Sequence, residues 1–331
     1  MRFSVVITTY NRLELLQRAL HSALQQTIPS EVVVVDDCSQ DGTEVYLRQL
    51  VQRFQAQGDL RLIYHRNPGN RGHSAAVNVG VEMATGEWIK PLDDDDYLAP
   101  NCLEQIRQAI AAYQIQIAPE QNSEVVICSC QAAQVDPQGQ ELSRTRIFGP
   151  GQVFYTPQAD IHFGMLLEQL PFGTPVQVAY RKAAFLKSGG WDSSLDANCD
   201  DIDSWIRIAQ FGDALFLNQC LAYRTIWPGS YNQTFSYQQR LATNILMKEK
   251  ILAFVHPKYS ERLSRFSRIE SYLRLHWGIV ALRKAKLQSA WEVAAPALFS
   301  PRAWGIFFQV TQARRSPQFR QMPIQKAVLI E

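Results

Sequence analysis

The chain of 331 residues is 46% hydrophobic and 19% charged with a formal net charge of +2, which excludes disorder, a collagen-like repeat and a long coiled coil and leaves one large globular domain or two modest ones. That small net charge hides an asymmetry: residues 240–331 hold 16 Lys or Arg against 5 Asp or Glu, so the part before them is acidic. An acidic first part argues against nucleic acid as its partner and suits a bound cation, whereas a basic remainder suits anionic head groups or phosphates.

The opening MRFSVVITTYNR has too short an apolar run and no small-residue cleavage site for a signal peptide, so a cytoplasmic location is expected. Phe3 to Thr9 and Glu31 to Val35 are β-branched runs, and Leu13, Leu16, Leu20 and Leu24 recur between them at helical spacing, a β-α-β unit. A helix after Gly42, a strand over 60–65, a helix over 74–84, a strand over 87–92, a helix after Pro100 and a strand over 124–130 continue the alternation. The pattern predicts an α/β fold, with a mostly parallel sheet covered by helices on both faces. Gly and Pro clusters make residues 131–175 read as an irregular insertion, after which a strand over 176–180 leads through a short helix to GGWD at 189–192.

Beyond Tyr237 the chain turns helical and basic. Phe266, Ile269, Leu273 and Trp277 recur at helical spacing, so their helix is expected to pack on the first domain or to rest at an anionic membrane surface. No stretch reaches 18 uninterrupted apolar residues, and no transmembrane helix is expected. The six cysteines are scattered, and Cys128 and Cys130 have the spacing of neither a zinc knuckle nor a CxxC redox site, so all read as reduced, buried thiols.

In a parallel α/β sheet, ligands bind at the carboxyl ends of the strands. Thr8, Thr9 and Tyr10 end the first strand, Asp36 and Asp37 the second, and Asp93 to Asp96 the strand that begins near Glu87. Four adjacent carboxylates repel one another unless a cation relieves them, and oxygen donors suit Mg²⁺ or Mn²⁺. Asp93 and Asp95, two apart at a strand end, can address one ligand; the alternative is a solvated turn whose last acids cap the next helix. Asp36 and Asp37 could likewise be turn formers, with Asp41 capping the helix after Gly42. NPGNRGHSAAVNVG lacks the Lys of a Walker loop and the spacing of a dinucleotide fingerprint, which argues against a kinase or a dehydrogenase. His73 and His162 read as loop or core residues.

Taken in order, VVITTYNR, VVVVDDCSQDGT, NRGHSAAVNVG with ATGEW, LDDDDYLAP, GGWD and DDIDSWIR resemble a family 2 glycosyltransferase, an inverting enzyme of the GT-A fold, over roughly residues 1–230. The resemblance implies a Rossmann-like catalytic domain over 1–236, with a nucleotide-sugar half to residue 100 and an acceptor half over 101–236; the basic, helical text beyond it makes 237–331 an expected helical extension. The resemblance also implies that Thr8, Thr9 and Tyr10 line a nucleoside pocket and that Asp37 binds the base. Asp93 and Asp95 match the DxD motif, with Asp93 toward the ribose and Asp95 the preferred ligand of Mn²⁺ or Mg²⁺. Asp94 belongs to the same neighbourhood.

Asp201 matches the catalytic base, and Trp191, Asp192 and Asp200 fall on the acceptor side. Trp191 could equally stack on a sugar or pack in the core, Asp200 could simply cap its helix, Trp205 reads as core and Arg207 as a structural partner of a carboxylate. An inverting transfer needs one carboxylate to take the acceptor's proton, while the metal stabilises the departing diphosphate. Two positions depart from the family: Val77 stands where Arg is frequent, and Ile226 and Trp227 stand where a His is frequent.

The implied reaction moves a sugar from a nucleotide-diphosphate sugar to a glycan or lipid-linked acceptor in polysaccharide, glycolipid or cell-envelope glycan synthesis; peripheral membrane contact through the basic helices is an expectation from their composition alone. The competing readings are a non-catalytic nucleotide-sugar-binding or scaffold protein of the same fold, and a nucleotidyltransferase. The latter favours a Gly-rich loop after the first strand, where this chain has TTYNR.

Overall fold

The computed structural model describes all residues except 122, 171, 197–198, 228–234, 264–265, 314–324 and 331. Its first part runs β1 (Phe3–Thr9), α1 (Leu13–Leu24), β2 (Glu31–Asp36), α2 (Thr43–Ala56), β3 (Leu62–Arg66), α3 (His73–Met83) and β4 (Trp88–Asp93). Every residue of β1 is buried, as expected of a strand covered on both faces. It pairs in parallel with β2 and β4, and β2 pairs in parallel with β3. Leu16, Ala19, Leu20 and Ala23 give α1 its buried stripe, with Leu13 and Leu24 half-buried at its edges.

The chain continues through β5 (Tyr97–Leu98), α4 (Cys102–Gln116), α5 (Ala118–Gln121), β6 (Val125–Val135), β7 (Glu141–Arg144), β8 (Val153–Thr156) and α6 (Gln158–Leu166). Then come β9 (Val178–Arg181), α7 (Lys182–Lys187), α8 (Asp200–Ile208) and β10 (Asp213–Thr225). Strand β9 is antiparallel to both β4 and β6 and joins the parallel strands of the first part to the parallel pair β6 and β10. Residues 131–175 are therefore not an irregular insertion. Strand β6 stays buried to Val135, β7 turns back along it and β8 lies against β10, so the Gly and Pro clusters mark turns between strands too short to show a period. The strand expected from residue 176 starts at Val178, because Pro175 opens a tight helical turn in which Gln177 Oε1 accepts the Thr174 amide at 3.3 Å.

Two compact units result. One comprises Met1–Gln158, Phe172–Trp227 and Lys326–Glu331, the last contributing β11 (Lys326–Val328) to the sheet edge; the other comprises Ala159–Pro171 and Pro228–Gln325. The second unit is helical, with α9 (Tyr237–Ala253), α10 (Phe266–Arg283), α11 (Leu287–Leu298) and α12 (Pro301–Ala313). Here the expectation for the late amphipathic helix needs correction. Tyr272 and Leu273 of α10 are buried with Leu241 and Val293, and Ile269 and Trp277 pack against that cluster, so Ile269, Leu273 and Trp277 serve the helical unit's own core, while the side chain of Phe266 lies outside what the structure describes. No helix of the described residues is long and apolar enough to cross a membrane. Four of the six free cysteines are buried, while Cys38 and Cys220 are half-buried, short of the full burial expected.

Candidate active site

Strand register brings the polar ends together: Thr8 of β1 lies opposite Asp93 of β4, and Thr9 lies opposite Asp36 of β2. Past this edge the four acids alternate. The side chains of Asp93 and Asp95 are 29% and 18% exposed, whereas that of Asp94 is 5% exposed and Asp96 is buried. Asp94 accepts from Arg12 Nη1 at 3.0 Å, and Asp96 Oδ1 accepts the Thr225 amide at 2.8 Å. Asp95 Oδ2 accepts from Trp227 Nε1 at 3.0 Å and lies 3.7 Å from Arg12 Nη1, whose guanidinium also sits 5.5 Å over the Trp227 ring.

Burial pushes the carboxyl of Asp94 up to about 6, against the pull of Arg12. Burial and the repulsion of Asp93 raise Asp95, and burial with both neighbouring charges raises Asp96 well above the usual range. Oxygens of Asp93, Asp95 and Asp96 lie within 4.8 Å of one another. A crowded set of hard oxygen donors destabilised by its own charge fits a divalent cation. Of the three, the partly exposed Asp93 and Asp95 are the side chains able to present an oxygen outward.

Asp37 is buried and fully engaged. Its Oδ1 accepts from Asn67 Nδ2 at 2.7 Å, and its two oxygens take the backbone amides of Arg71 and Gly72 at 2.8 to 3.0 Å. It thus ties down the loop that leads into α3. Gly72 has φ +89°, and a Cβ there would fall 2.1 Å from Asp196 Oδ2, so only glycine fits. Asp196 in turn accepts the amides of His73 and Ser74, capping the start of α3. Asp41 accepts from Thr43 and from the Leu13 amide, and so serves the starts of both α2 and α1.

His73 stands between two acids, with Nε2 3.2 Å from Asp93 and Nδ1 3.4 Å from Asp200. Burial works against its charge, yet Asp200 and Asp93 hold its pKa well above the ordinary value, and His73 in turn keeps Asp93 low despite burial. Asp200 opens α8 and also accepts the Ser74 hydroxyl at 2.8 Å. The next residue, Asp201, is half-buried, and burial plus the neighbouring Asp200 push its carboxyl up to about 7. Asp203 is buried in an ion pair with Arg207, whose Nη1 also donates to the Ser188 carbonyl. Arg207 is the structural partner expected, and Trp205 is core, 1% exposed with its Nε1 on the Gly173 carbonyl.

Trp191 is 3% exposed and edge-on to both His73 and Trp205, and its Nε1 has no hydrogen-bond partner among the described residues. Asn78 fixes its backbone through two hydrogen bonds, and Gly190, at φ +73°, leaves room for the Asn78 side chain. Asp192 caps the turn Ser193–Leu195 by accepting from Ser194. Thr8 is buried, the Thr9 hydroxyl lies beside Asp94, and Tyr10 is exposed. His162 is a buried residue of α6 beside Phe254.

Sequence reasoning missed Arg12, Asp196 and the bridging place of His73. Arg12 carried a signal, a cation two residues past the first strand's polar end; Asp196 carried none. Trp227, noted only as a departure from the family pattern, supplies the hydrogen bond to Asp95.

Residues 4–188 match the glycosyl transferase family 2 profile. An uncharacterized glycosyltransferase of Haemophilus influenzae is 26% identical over 291 residues, covering 85% of this chain and 86% of that one. The succinoglycan biosynthesis protein ExoO of Rhizobium meliloti is 37% identical over 122 residues, 37% of this chain and 33% of its own. The chain spans 37% of a Mycoplasma pneumoniae glycosyltransferase at 38% identity, so it covers only about a third of several curated relatives.

Among solved structures, Staphylococcus aureus TarS 1–349 in complex with UDP-GlcNAc superposes with a TM-score of 0.56 at 19% identity, covering 89% of this chain and 91% of that one. The mannosyltransferase PcManGT of Pyrobaculum calidifontis, in complex with GDP-Man and Mn²⁺, gives 0.54 at 20% identity over 96% and 82%. These likenesses bear out the α/β GT-A architecture. With more than half of its length matched by the profile, the chain belongs to glycosyl transferase family 2.

Proposed function

We propose that the chain transfers a sugar from a nucleotide-diphosphate sugar to a hydroxyl acceptor with inversion at the anomeric carbon, in glycan or glycolipid assembly on the cytoplasmic side of a membrane. The observation that carries this is Asp201, a partly exposed carboxyl pushed up to about 7 at the head of a helix whose first residue, Asp200, is linked through His73 to Asp93. A base with its pKa near neutrality combines an ionised form at working pH with appreciable proton affinity. Asp203 is unsuited to that role, being sealed in its pair with Arg207.

Asp93 and Asp95 would hold Mn²⁺ or Mg²⁺, which supplies charge neutralisation for the donor's diphosphate. Thr8, Thr9 and the exposed Tyr10 would line the nucleoside, with Asp37 shaping the pocket through the loop it anchors. Asp94, tied to Arg12, holds the strand end in place. On the acceptor side, Asp201 would take the hydroxyl proton as that oxygen attacks, while Asp200 and Asp192 shape the turn and helix start around it. Trp191 would form the wall beneath. The basic second unit would keep the enzyme near an inner membrane face and a lipid-linked acceptor.

The test is transfer from a panel of nucleotide sugars with Mn²⁺ or Mg²⁺, reading the product's anomeric configuration by NMR. A β-linked product from an α-linked donor, lost on Asp201→Asn, is the expected result. Retention of configuration would overturn the inverting assignment.

A further inference from the structure

The helical unit uses the apolar stripe of α10 internally, yet it leaves other large apolar groups outside. Between α10 and α11 the chain is exposed from Leu282 to Gln288. Leu282 is 55% and Leu287 69% exposed, and one helical turn further on the same face Trp291 is 56% exposed. Phe299, 79% exposed, sits edge-on to Trp291 with ring centroids 6.1 Å apart. Interleaved with these are Arg283, Lys284 and Lys286, all exposed, with no acid between residues 282 and 291. The next acid, Glu292, accepts from Gln238 and Gln288.

We propose that this α10–α11 corner, Leu282 to Trp291 with Phe299, is the element that seats the protein on an anionic phospholipid surface. This deepens the membrane-side part of the function proposed above and rests on it. Folding does not explain the exposed groups, because the inward faces of these helices are filled by Leu273, Leu275, Val293 and Ala297. A lipid interface fits the mixture better than a second protein chain. Protein interfaces are depleted in Lys at their centres. At a bilayer, by contrast, Lys and Arg stems lie along the apolar boundary with their charges among the phosphates, and Trp is favoured at the same depth.

The experiment uses the full chain and flotation with vesicles of phosphatidylcholine alone or with rising phosphatidylglycerol. Two variants accompany it, Arg283→Gln/Lys284→Gln/Lys286→Gln and Leu287→Ser/Trp291→Ser/Phe299→Ser, both confined to exposed side chains and checked by thermal melting. The wild type should float only with phosphatidylglycerol and be released by salt. The charge variant should bind on the order of 100-fold more weakly, given three cations near the surface, and the apolar variant should also lose binding. Transfer to a soluble acceptor should be unchanged in both.

Wild-type flotation retained by both variants would overturn this assignment while leaving membrane attachment in place. No flotation at any phosphatidylglycerol content would overturn both. A dimer dissolved by the apolar variant, with vesicle binding unchanged, would assign the corner to a second copy of the chain and overturn the proposal.

Discussion

Trp227 donates its indole N–H to Asp95 Oδ2 at 3.0 Å, across 132 residues of chain. The indole cannot ligate a metal, so what it offers Asp95 is orientation. The same ring sits under the Arg12 guanidinium, which binds Asp94, so one aromatic side chain and one cation set the rotamers of two adjacent acids. Removing an outer partner of a ligand typically costs 10- to 100-fold in metal affinity. Trp227→Phe should therefore weaken Mn²⁺ binding in the presence of nucleoside diphosphate by about 10-fold with the fold intact. Calorimetry giving the same affinity for both proteins would remove Trp227 from the site.

Asp201 supplies a pH signature. Its carboxyl is raised to about 7, so the ionised form that can accept a proton accumulates only as pH climbs through that value. kcat/KM should rise with unit slope below pH 7 and level off above it. Asp201→Asn should flatten the profile and lower the rate by roughly 10²-fold or more while leaving donor affinity in place. A flat wild-type profile from pH 5 to 9 would exclude Asp201 as the base.

The same shift predicts the sign of a stability effect. Folded Asp201 holds its proton up to about pH 7, whereas in the unfolded chain it loses it near 3.8. Stability therefore falls as pH rises between those values, and the full penalty persists above pH 7. Asp201→Asn should melt at a higher temperature than wild type at pH 8 and at the same temperature near pH 3. A variant less stable at pH 8 would mean that the carboxylate is held by partners rather than strained by burial.

Much of this geometry was legible in the chain because it is local or periodic. Asp93 and Asp95 share a side because residues two apart at a strand end do, and the strand-end rule gathered them with Thr8, Thr9 and Asp37. The late segment was harder. The period of α10 identified a helix with one apolar face, but periodicity does not say what covers that face, and here the other helices of the unit do. Asp196 was beyond reach for a different reason. Its partners His73 and Ser74 lie 123 and 122 residues away, joined through a turn that has no period. His73 looked like a loop residue because neither of its acids is near it in sequence.

Asp37 tests whether the loop or the base depends on that carboxylate. It accepts from Asn67 and from the amides of Arg71 and Gly72 while buried, and an asparagine has one accepting oxygen instead of two. At least one partly buried donor would lose its partner, at a cost of about 1 kcal/mol. Asp37→Asn should lower the urea midpoint and donor affinity together. Normal stability with selective loss of nucleotide binding would make Asp37 a direct contact to the base rather than an anchor of the loop.

The final test separates the two acids of DDIDSWIR that a sequence motif alone can confuse. Asp203 is 1% exposed, with Oδ2 2.7 Å from Arg207 Nε, and Arg207 also holds the Ser188 carbonyl at 2.6 Å, linking α8 to the end of α7. Breaking such a pair from one side leaves a poorly solvated cation, and the loss should be about 3 kcal/mol. Asp203→Asn should thus destabilise strongly, and Arg207→Met added to it should cost less than the two single changes summed, because the pair is already broken. Neither change should alter kcat of the folded fraction by more than a few-fold, since the two groups are committed to each other and to the Ser188 carbonyl. Denaturation curves and active-site titration on the same samples decide the matter: a 10²-fold fall in kcat with stability unchanged would move the base from Asp201 to Asp203.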